Sequence, residues 1–150
     1  MPGVSDRHAV RAQVRVYAGT VATLADGTAS AISKSPVPDR CYISPLGLRG
    51  DVCADTRHHG GADRALLFYP REHYISLKRH FSLLAPLSFG CLGENLSGEG
   101  LRESRVCIGD IFSLGNAVIE VSQPRSPCPA LNWAFGVAIA RCRVRFRIWG

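Results

Sequence analysis

The residue best suited to chemistry is Cys128, in the loop that follows the last clearly predicted strand. It lies between Pro127 and Pro129 and three residues after Arg125. The two prolines fix the backbone dihedral φ around the thiol and stiffen the loop. A nearby guanidinium favours thiolate over thiol, and thiolate is the form that binds a soft metal or attacks an electrophile. Cys128 is therefore the candidate reactive thiol, and the alternative is an inert loop cysteine.

A second candidate site is the glycine-containing run His58–Ala65. The consecutive glycines Gly60 and Gly61 let backbone N–H groups approach a ligand and form an anion-binding concavity. Adjacent histidines point in different directions on most backbones, so His58 and His59 are poorly placed to ligate one metal together. We expect one histidine to brace the loop, and an ordinary turn is the alternative interpretation.

Two further polar clusters are punctuated by glycine. In the run Gly47–Asp51, Arg49 and Asp51 could face an anion or hold each other. In the run Gly93–Ser97, Asn95 offers an amide that can fasten a loop or read the edge of a heterocycle. A capped surface loop and a loop-bracing side chain, respectively, are the alternatives that local sequence leaves open.

Short β-type runs between turn signals must position these clusters, which favours a barrel or sandwich that is mainly β with a few helices (α+β). The Gly115-Asn116 pair predicts a hairpin, because glycine tolerates the positive φ of a tight turn. The predicted strands are Val14–Leu24, Ser30–Lys34, Cys41–Ser44, Ala65–Tyr69, Val106–Ile108, Ile111–Leu114 and Ala117–Val121.

Two helices and a terminal strand complete the prediction. Pro70 suits the first turn of a helix in which Tyr74 and Leu77 begin a helical repeat that ends near Leu84. A short second helix is predicted over Pro127–Phe135. The strict alternation of Arg143–Ile148 predicts a strand with one apolar face.

Composition indicates an ordinary globular protein with a basic surface. The chain has 150 residues and a net charge of +6, which predicts one domain over residues 1–150 and anionic partners. Lys34 and Lys78 are the only lysines, and the arginines that supply the remaining positive charge suit a bidentate grip on phosphate. No apolar run is long enough for a membrane helix and the N-terminus does not resemble a signal peptide, so a cytoplasmic location and no membrane partner are expected.

The cysteines and aromatic residues disfavour two other classes. Six cysteines are scattered without a CxxC pair, which argues against a zinc ribbon, and most thiols, Cys107 among them, are expected to be buried. Aromatic residues are not interleaved with basic ones along the predicted strands before residue 132, so nucleic acid is not an expected partner. A cysteine hydrolase that uses Cys128 with His59 is a further alternative.

The polar clusters, in this order, resemble the MOSC domain family, named for the C-terminal domain of molybdenum cofactor sulfurases. They resemble most the stand-alone bacterial branch typified by N-hydroxylaminopurine resistance proteins. The resemblance covers residues 14–132, and residues 133–150 form an atypical tail. It rests on Tyr17–Val21, Ser30–Lys34, Gly47–Asp51, His59–Leu66, Tyr69–Tyr74, Phe89–Leu96, Ile108–Asp110 and Val121–Asn132.

The resemblance implies a MOSC-type β-barrel, left incomplete by the short C-terminus, that holds a molybdopterin-type molybdenum cofactor. Cys128 would ligate molybdenum, and Asn95 would help to hold the site together. Related members reduce N-hydroxylated bases with electrons from a separate flavin reductase, and the family is also associated with pyridoxal phosphate binding. A non-catalytic carrier of the cofactor or of sulfur is the alternative function. The residues expected to contact the cofactor are Arg49, His59, Gly60, Gly61, Arg125, Asn132 and, more weakly, Lys34.

Overall fold

Strands dominate the part of the chain that the structure, a computed structural model, describes. That part comprises residues 13–24, 26–80, 87–125 and 143–149. Its strands are β1 (Arg15–Ala18), β2 (Ala22–Thr23), β3 (Ala29–Ser30), β4 (Ser35–Pro36), β5 (Ile43–Ser44), β6 (Gly47–Leu48), β7 (Leu66–Pro70), β8 (Leu96–Gly98), β9 (Ile111–Leu114), β10 (Ala117–Arg125) and β11 (Arg143–Trp149). The α-helices are α1 (Thr56–His59) and α2 (Arg71–His80), and a 3₁₀ turn covers Ala62–Arg64.

Seven of the strands form one sheet in the order β4-β1-β8-β7-β11-β10-β9. The β7–β8 pair is parallel, and every other neighbouring pair in this sheet is antiparallel. Two small antiparallel pairs, β2–β3 and β5–β6, stand apart from it. The prediction of a mainly β chain with a few helices is confirmed.

The core is built around β7, whose five residues are all buried. Leu66 and Phe68 of this strand pack with Leu96, Ile119 and Val121 from β8 and β10. A run without charged side chains suits a strand that is covered on both faces, which explains why β7 was predictable from sequence.

The first predicted helix is confirmed as α2, which begins at Arg71 directly after Pro70. Tyr74 and Leu77 are its buried residues and are 2% and 0% exposed. The predicted end near Leu84 lies outside the described residues, as does the predicted second helix over Pro127–Phe135. Within the described ranges, neither helix is long and apolar enough to cross a membrane.

The predicted hairpin is confirmed as β9–β10. Leu114 pairs with Ala117, and Gly115 between them has a φ of 61°. Strand β10 continues beyond the predicted end at Val121 because β11 pairs along it as far as Arg125, with a register shift after Val121. The extension places Arg125 at the end of a long strand.

The terminal strand is also confirmed. β11 lies between β7 and β10, so that Phe146 pairs with both Leu66 and Val121. Part of the tail expected to be atypical therefore supplies a strand in the interior of the sheet, and β4 and β9 are its outermost strands. Residues 133–142 of that tail lie outside the described residues.

Three strand predictions in the N-terminal third of the chain are wrong in extent. Val14–Leu24 is interrupted after Ala18, where a Cβ on Gly19 would lie 2.7 Å from the carbonyl oxygen of Ser33. The predicted strand Ser30–Lys34 contributes only Ser30 to β3, and Lys34 precedes β4. Of the predicted strand Cys41–Ser44, the last two residues pair.

The prediction of a strand over Val106–Ile108 is wrong. Asp110 closes a turn there, because its carboxylate accepts from the Cys107 backbone N–H at 2.8 Å while its own N–H donates to the Cys107 carbonyl at 3.0 Å. Local capping therefore replaces ladder pairing. The Cys107 thiol, expected to be buried, is exposed as a result.

Candidate functional site

A cavity of about 330 Å³ opens among the loops around β6 and β7. Its lining comes from within residues 28–34, 46–55, 59–67 and 92–95, together with Arg125 at the end of β10. Four segments and Arg125 therefore meet at one cavity, and together they include part of each polar cluster identified from sequence.

A charged network lies in the cavity wall. The Lys34 ammonium forms an ion pair with Asp51, and the two side chains are 6% and 14% exposed. The other carboxylate oxygen of Asp51 accepts from the Asn95 amide at 2.7 Å, and the Gly19 backbone N–H donates to the first at 2.8 Å. Asp51, which could have held Arg49 or faced an anion, instead holds Lys34.

Asn95 connects this network to the sheet. Its backbone N–H donates to the Leu67 carbonyl at 2.8 Å, and its side-chain oxygen accepts from the Leu67 N–H at 3.2 Å. Its own carbonyl accepts from the Tyr17 N–H at 2.8 Å. The side chain is thus a bracing group, which was one of its two expected roles.

The loop before Asn95 is organised around a buried carboxyl group. Glu94 is fully buried and accepts from the Tyr74 hydroxyl, from the Gly90 N–H at 2.7 Å and from the Leu92 N–H at 3.1 Å. Burial raises the pKa of Glu94 and, more strongly, that of Tyr74. Burial likewise raises the pKa of the neighbouring Cys91 thiol to about 11, so this thiol is not a thiolate at neutral pH.

The same loop touches the Lys34 backbone at Gly90. The Gly90 carbonyl accepts from the Lys34 N–H at 2.9 Å. Gly90 has a φ of 95°, and a Cβ there would lie 2.4 Å from the Lys34 carbonyl oxygen. A glycine is required at this position both for the dihedral and for the close approach.

On the other side of the cavity, Arg125 contacts His59. The Arg125 Nη2 to His59 Nδ1 distance is 3.2 Å. A guanidinium has donors and no acceptor, so this contact is a hydrogen bond for the His59 tautomer whose ring proton is on Nε2. This contact brings together two residues that the sequence placed in separate clusters.

Helix α1 and the glycine run position His59. The Asp55 carboxylate accepts from the His58 N–H at 3.2 Å and caps the helix, and this bond lowers the pKa of Asp55. Gly60 ends the helix, where a Cβ would lie 2.8 Å from the Thr56 carbonyl oxygen. Gly61, whose φ is 103°, is exposed and is not part of the cavity lining.

Arg64 and Cys53 also line the cavity, although they were not predicted as site residues. The Arg64 guanidinium donates to the His58 carbonyl. The Cys53 thiol is exposed and donates to the Asp55 carbonyl at 3.3 Å. Arg64 was recognisable as part of the glycine run, whereas Cys53 carries no local signal in the sequence.

Arg49 does not line the cavity. Its side chain is exposed, and the guanidinium carbon lies 5.5 Å from the centroid of the Tyr42 ring. Cys128 and Asn132 lie outside the described residues. The cavity therefore contains Lys34, His59, Gly60 and Arg125 of the predicted contact residues.

The chemistry of this lining suits an anionic ligand. Ammonium, guanidinium and ring N–H groups are donors, and together they favour phosphate or carboxylate oxygens. Among the described residues, no group of three or more histidine, cysteine, aspartate or glutamate side chains is arranged to hold a metal ion. The described lining thus carries three cationic side chains, Lys34, Arg64 and Arg125, against the two carboxylates of Asp51 and Asp55.

Comparison with protein families gives a match between residues 55–147 and the model of the MOSC domain. The protein YiiM of Escherichia coli K12 is 48% identical over 130 residues, which are 86% of this chain and 58% of that protein. YflK of Bacillus subtilis 168 is 45% identical over 71% of this chain and 47% of its own length. A protein of Gibberella moniliformis named as a reductase is 39% identical over 71% of this chain and 19% of its length. The chain thus spans about half the length of its two bacterial relatives.

Solved structures share the fold. The crystal structure of YiiM from Geobacillus stearothermophilus superposes with a TM-score of 0.69 at 28% identity, covering 91% of this chain and 67% of that one. The crystal structure of a hypothetical protein gives a TM-score of 0.71 at 39% identity over 91% of this chain and 61% of that one. The family model also extends to residue 147, into the segment expected to be an atypical tail.

Proposed function

The chain belongs to the MOSC domain family, and we propose that it is an oxidoreductase that binds a molybdopterin-type molybdenum cofactor in this cavity and reduces N-hydroxylated compounds. The observation that carries the proposal is the convergence of Lys34, His59 and Arg125 on one cavity. Arg125 is three residues before Cys128, the thiol expected to ligate molybdenum. The reductase name of the fungal relative supports the redox assignment.

The residues of the cavity fit the anionic part of such a cofactor. Arg125 and Arg64 would hold phosphate oxygens with charge-assisted hydrogen bonds, and the Lys34 ammonium keeps further donors beside the one that faces Asp51. Because Asp51 neutralises Lys34, the excess positive charge at the cavity comes from the arginines. When bound, the cofactor would supply a two-electron redox centre, and the chain would bind it, orient it and exclude water.

The proposed reaction is R–NHOH + 2e⁻ + 2H⁺ → R–NH₂ + H₂O, in which the N–O bond breaks and the oxygen leaves as water. The electrons would come from a separate flavin reductase, the proposed partner. His59 lines the cavity, and in the tautomer that accepts from Arg125 through Nδ1 its Nε2–H is a hydrogen-bond donor.

Cofactor content tests the binding step. The protein is purified from cells that make the cofactor, and molybdenum is measured by mass spectrometry and pterin by fluorescence after oxidation. We expect about one of each per chain, loss of molybdenum in Cys128→Ala, and loss of most pterin in Arg125→Gln. Cys107→Ala and Arg79→Gln, which change exposed residues outside the cavity, should retain both. Folded wild-type protein with neither molybdenum nor pterin would contradict the proposal.

Turnover separates the enzyme from the alternative function. The cofactor-containing protein is supplied with an N-hydroxylated base and a flavin reductase with its nicotinamide donor, and formation of the amine is followed. We expect reduction that stops in Cys128→Ala. Full cofactor content without turnover would instead favour the carrier of cofactor or sulfur, for which the same binding residues would serve.

A further inference from the structure

The two outer edges of the seven-stranded sheet differ in how well they are protected against a further strand. At one edge, β4 consists of Ser35 and Pro36. A proline has no N–H to offer, and a two-residue strand is a poor template for pairing, so this edge is protected. At the other edge, β9 contains neither a proline nor a charged residue. Of these two edges, only that of β9 is suited to accept another strand.

The pairing of β9 with β10 determines which backbone groups of β9 face outward. The carbonyl of Asp110, directly before β9, accepts from the Val121 N–H at 2.9 Å and so faces β10. Backbone groups alternate in direction along an antiparallel strand, so those of Ile111 and Ser113 face away from β10. No described strand pairs with β9 on that side. The N–H and C=O groups of Ile111 and Ser113 therefore form an open hydrogen-bonding edge.

The side chains of β9 divide between two faces of the sheet. Phe112 and Leu114 are partly buried and pack against the core. Ile111, on the other face, is 54% exposed beside the exposed Ser113. Native sheets usually blunt an open edge with a lysine, a proline or a bulge, or cover it. Because β9 has neither a lysine nor a proline, its edge indicates a partner strand.

A second copy of β9 has the properties that such a partner strand needs. The chain carries a net charge of +6, but β9 is uncharged, so two copies can meet here without like charges directly opposed. An acidic or basic partner finds no charge to recognise on this strand. Two identical antiparallel strands are related by a twofold axis, and β4 leaves each copy with one edge to offer. Pairing through β9 therefore closes at a dimer and does not grow into a fibre.

We propose that β9 is a dimerisation edge, at which a second copy of this chain pairs antiparallel with the first. Ile111 of each copy then lies opposite Ser113 of the other, because this register engages all the outward N–H and C=O groups of both strands. Phe112 lies at the twofold axis opposite Phe112 of the second copy, and a cross-strand aromatic pair stabilises a sheet. The residues of β9 do not line the cavity, so the inference is independent of the proposed function.

The association is expected to be weak, because two short strands join only a small surface. Interfaces that bury less than about 1,200 Å² are typical of transient complexes, and we expect a Kd between about 10 µM and 1 mM. Added salt should leave this Kd unchanged or lower it, since salt screens the repulsion between two chains of charge +6. Binding that depended on opposite charges would weaken with salt instead.

Sedimentation equilibrium of the full chain, at concentrations that span this range of Kd, tests the proposal. We expect a reversible equilibrium between monomer and dimer. Ser113→Lys places a charge beside the outward backbone groups and should raise the dimer Kd at least about tenfold. The matched control is Ser35→Lys, which makes the same change at an exposed serine of the protected edge and should leave Kd within about twofold.

Hydrogen exchange of the wild-type protein identifies the strand that pairs, without any substitution. The Ile111 and Ser113 amides should exchange about tenfold more slowly at concentrations well above Kd than in the dilute monomer, because the second copy protects them. The Ser35 amide at the other edge should exchange equally fast under both conditions.

Four results would overturn the inference. The first is a wild-type chain that stays monomeric over the whole range. The second is a dimer that Ser113→Lys leaves intact, or that Ser35→Lys weakens equally. Slow exchange of the Ile111 and Ser113 amides in the monomer would show that residues of the same chain cover this edge. Assemblies larger than a dimer that grow with concentration would contradict the closed twofold arrangement.

Discussion

At the scale of single residues, Asp51 organises the hydrogen bonds and the ion pair in the wall of the cavity. One carboxylate oxygen pairs with Lys34 and the other accepts from Asn95. These partners come from different parts of the chain, and this side chain joins them. A carboxylate that joins a buried ammonium to an amide brace fixes the direction in which both point, which is what a preorganised binding site requires.

Asp51→Asn should therefore destabilise the protein strongly. The amide keeps the shape of the carboxylate but leaves the Lys34 ammonium, 6% exposed, without its counter-charge. Breaking one partner of a buried ion pair typically costs about 3–5 kcal/mol. Urea unfolding at neutral pH measures the loss of free energy.

The matched control is Asp26→Asn. Asp26 is exposed, and its carboxylate binds the Thr28 N–H and hydroxyl within the same turn. This change should cost no more than about 1 kcal/mol, the usual value of a local cap. Equal losses of unfolding free energy in the two variants would mean that the buried Lys34–Asp51 pair contributes no more to stability than a local cap.

At the scale of elements, the loop of residues 87–95 forms one wall of the cavity because it packs between α2 and the Lys34 backbone. Glu94 binds the loop's own N–H groups and the Tyr74 hydroxyl from α2. Gly90 brings the loop against Lys34, and Leu92 and Gly93 present its surface to the cavity. The backbone path of this loop therefore determines where the Lys34 backbone and the nearby side chains of the cavity wall lie.

Gly90→Ala tests this dependence. The new Cβ would lie 2.4 Å from the Lys34 carbonyl oxygen and 2.8 Å from Tyr17 Cδ1, so the loop or the Lys34 backbone must move. Positive φ costs a non-glycine residue about 1–2 kcal/mol, and the displacement adds about 1–3 kcal/mol. Gly27→Ala is the control, because Gly27 also has a positive φ, 84°, but nothing lies within 4 Å of its Cβ position.

Thermal unfolding and pterin content of both variants separate the two contributions. Both variants should lose stability because alanine is strained at a positive φ. Only Gly90→Ala should lose further stability and the bound pterin. Identical behaviour of the two variants would argue that the loop adapts without consequence for the cavity.

Local sequence predicted those elements whose determinants are local. The apolar run of β7, the Gly-Asn turn of the β9–β10 hairpin and the helical spacing of Tyr74 and Leu77 each lie within one short window. The prediction of one strand over Val14–Leu24 was wrong because the strand is interrupted where the Ser33 carbonyl approaches Gly19, and this approach is a tertiary contact. Sequence left open whether Asp51 holds Arg49 or faces an anion. Its pairing with Lys34 was not predicted, since no local pattern encodes a contact between residues 17 positions apart.

At the scale of the whole molecule, β11 joins two halves of the sheet. On one side it pairs with β7, which follows the glycine run, and on the other with β10, which ends at Arg125. His59 and Arg125 can meet because β7 and β10 are held one strand apart. The C-terminal segment, the least typical by sequence, is in this respect central to the geometry of the cavity.

Truncation after Cys142 should therefore prevent stable folding. Removing β11 leaves the inward ladders of β7 and β10 without partners, and β7 is a buried apolar strand whose unpaired edge would be prone to aggregation. We expect the truncated chain to lose most of the cooperative urea transition and to bind the dye ANS. A synthetic peptide of residues 143–150 should partly restore the transition. A peptide with the same composition in scrambled order is the control. A truncated chain that unfolds cooperatively near the wild-type urea midpoint would show that β7 and β10 can close directly on each other, and the His59–Arg125 contact would then have to be explained without β11.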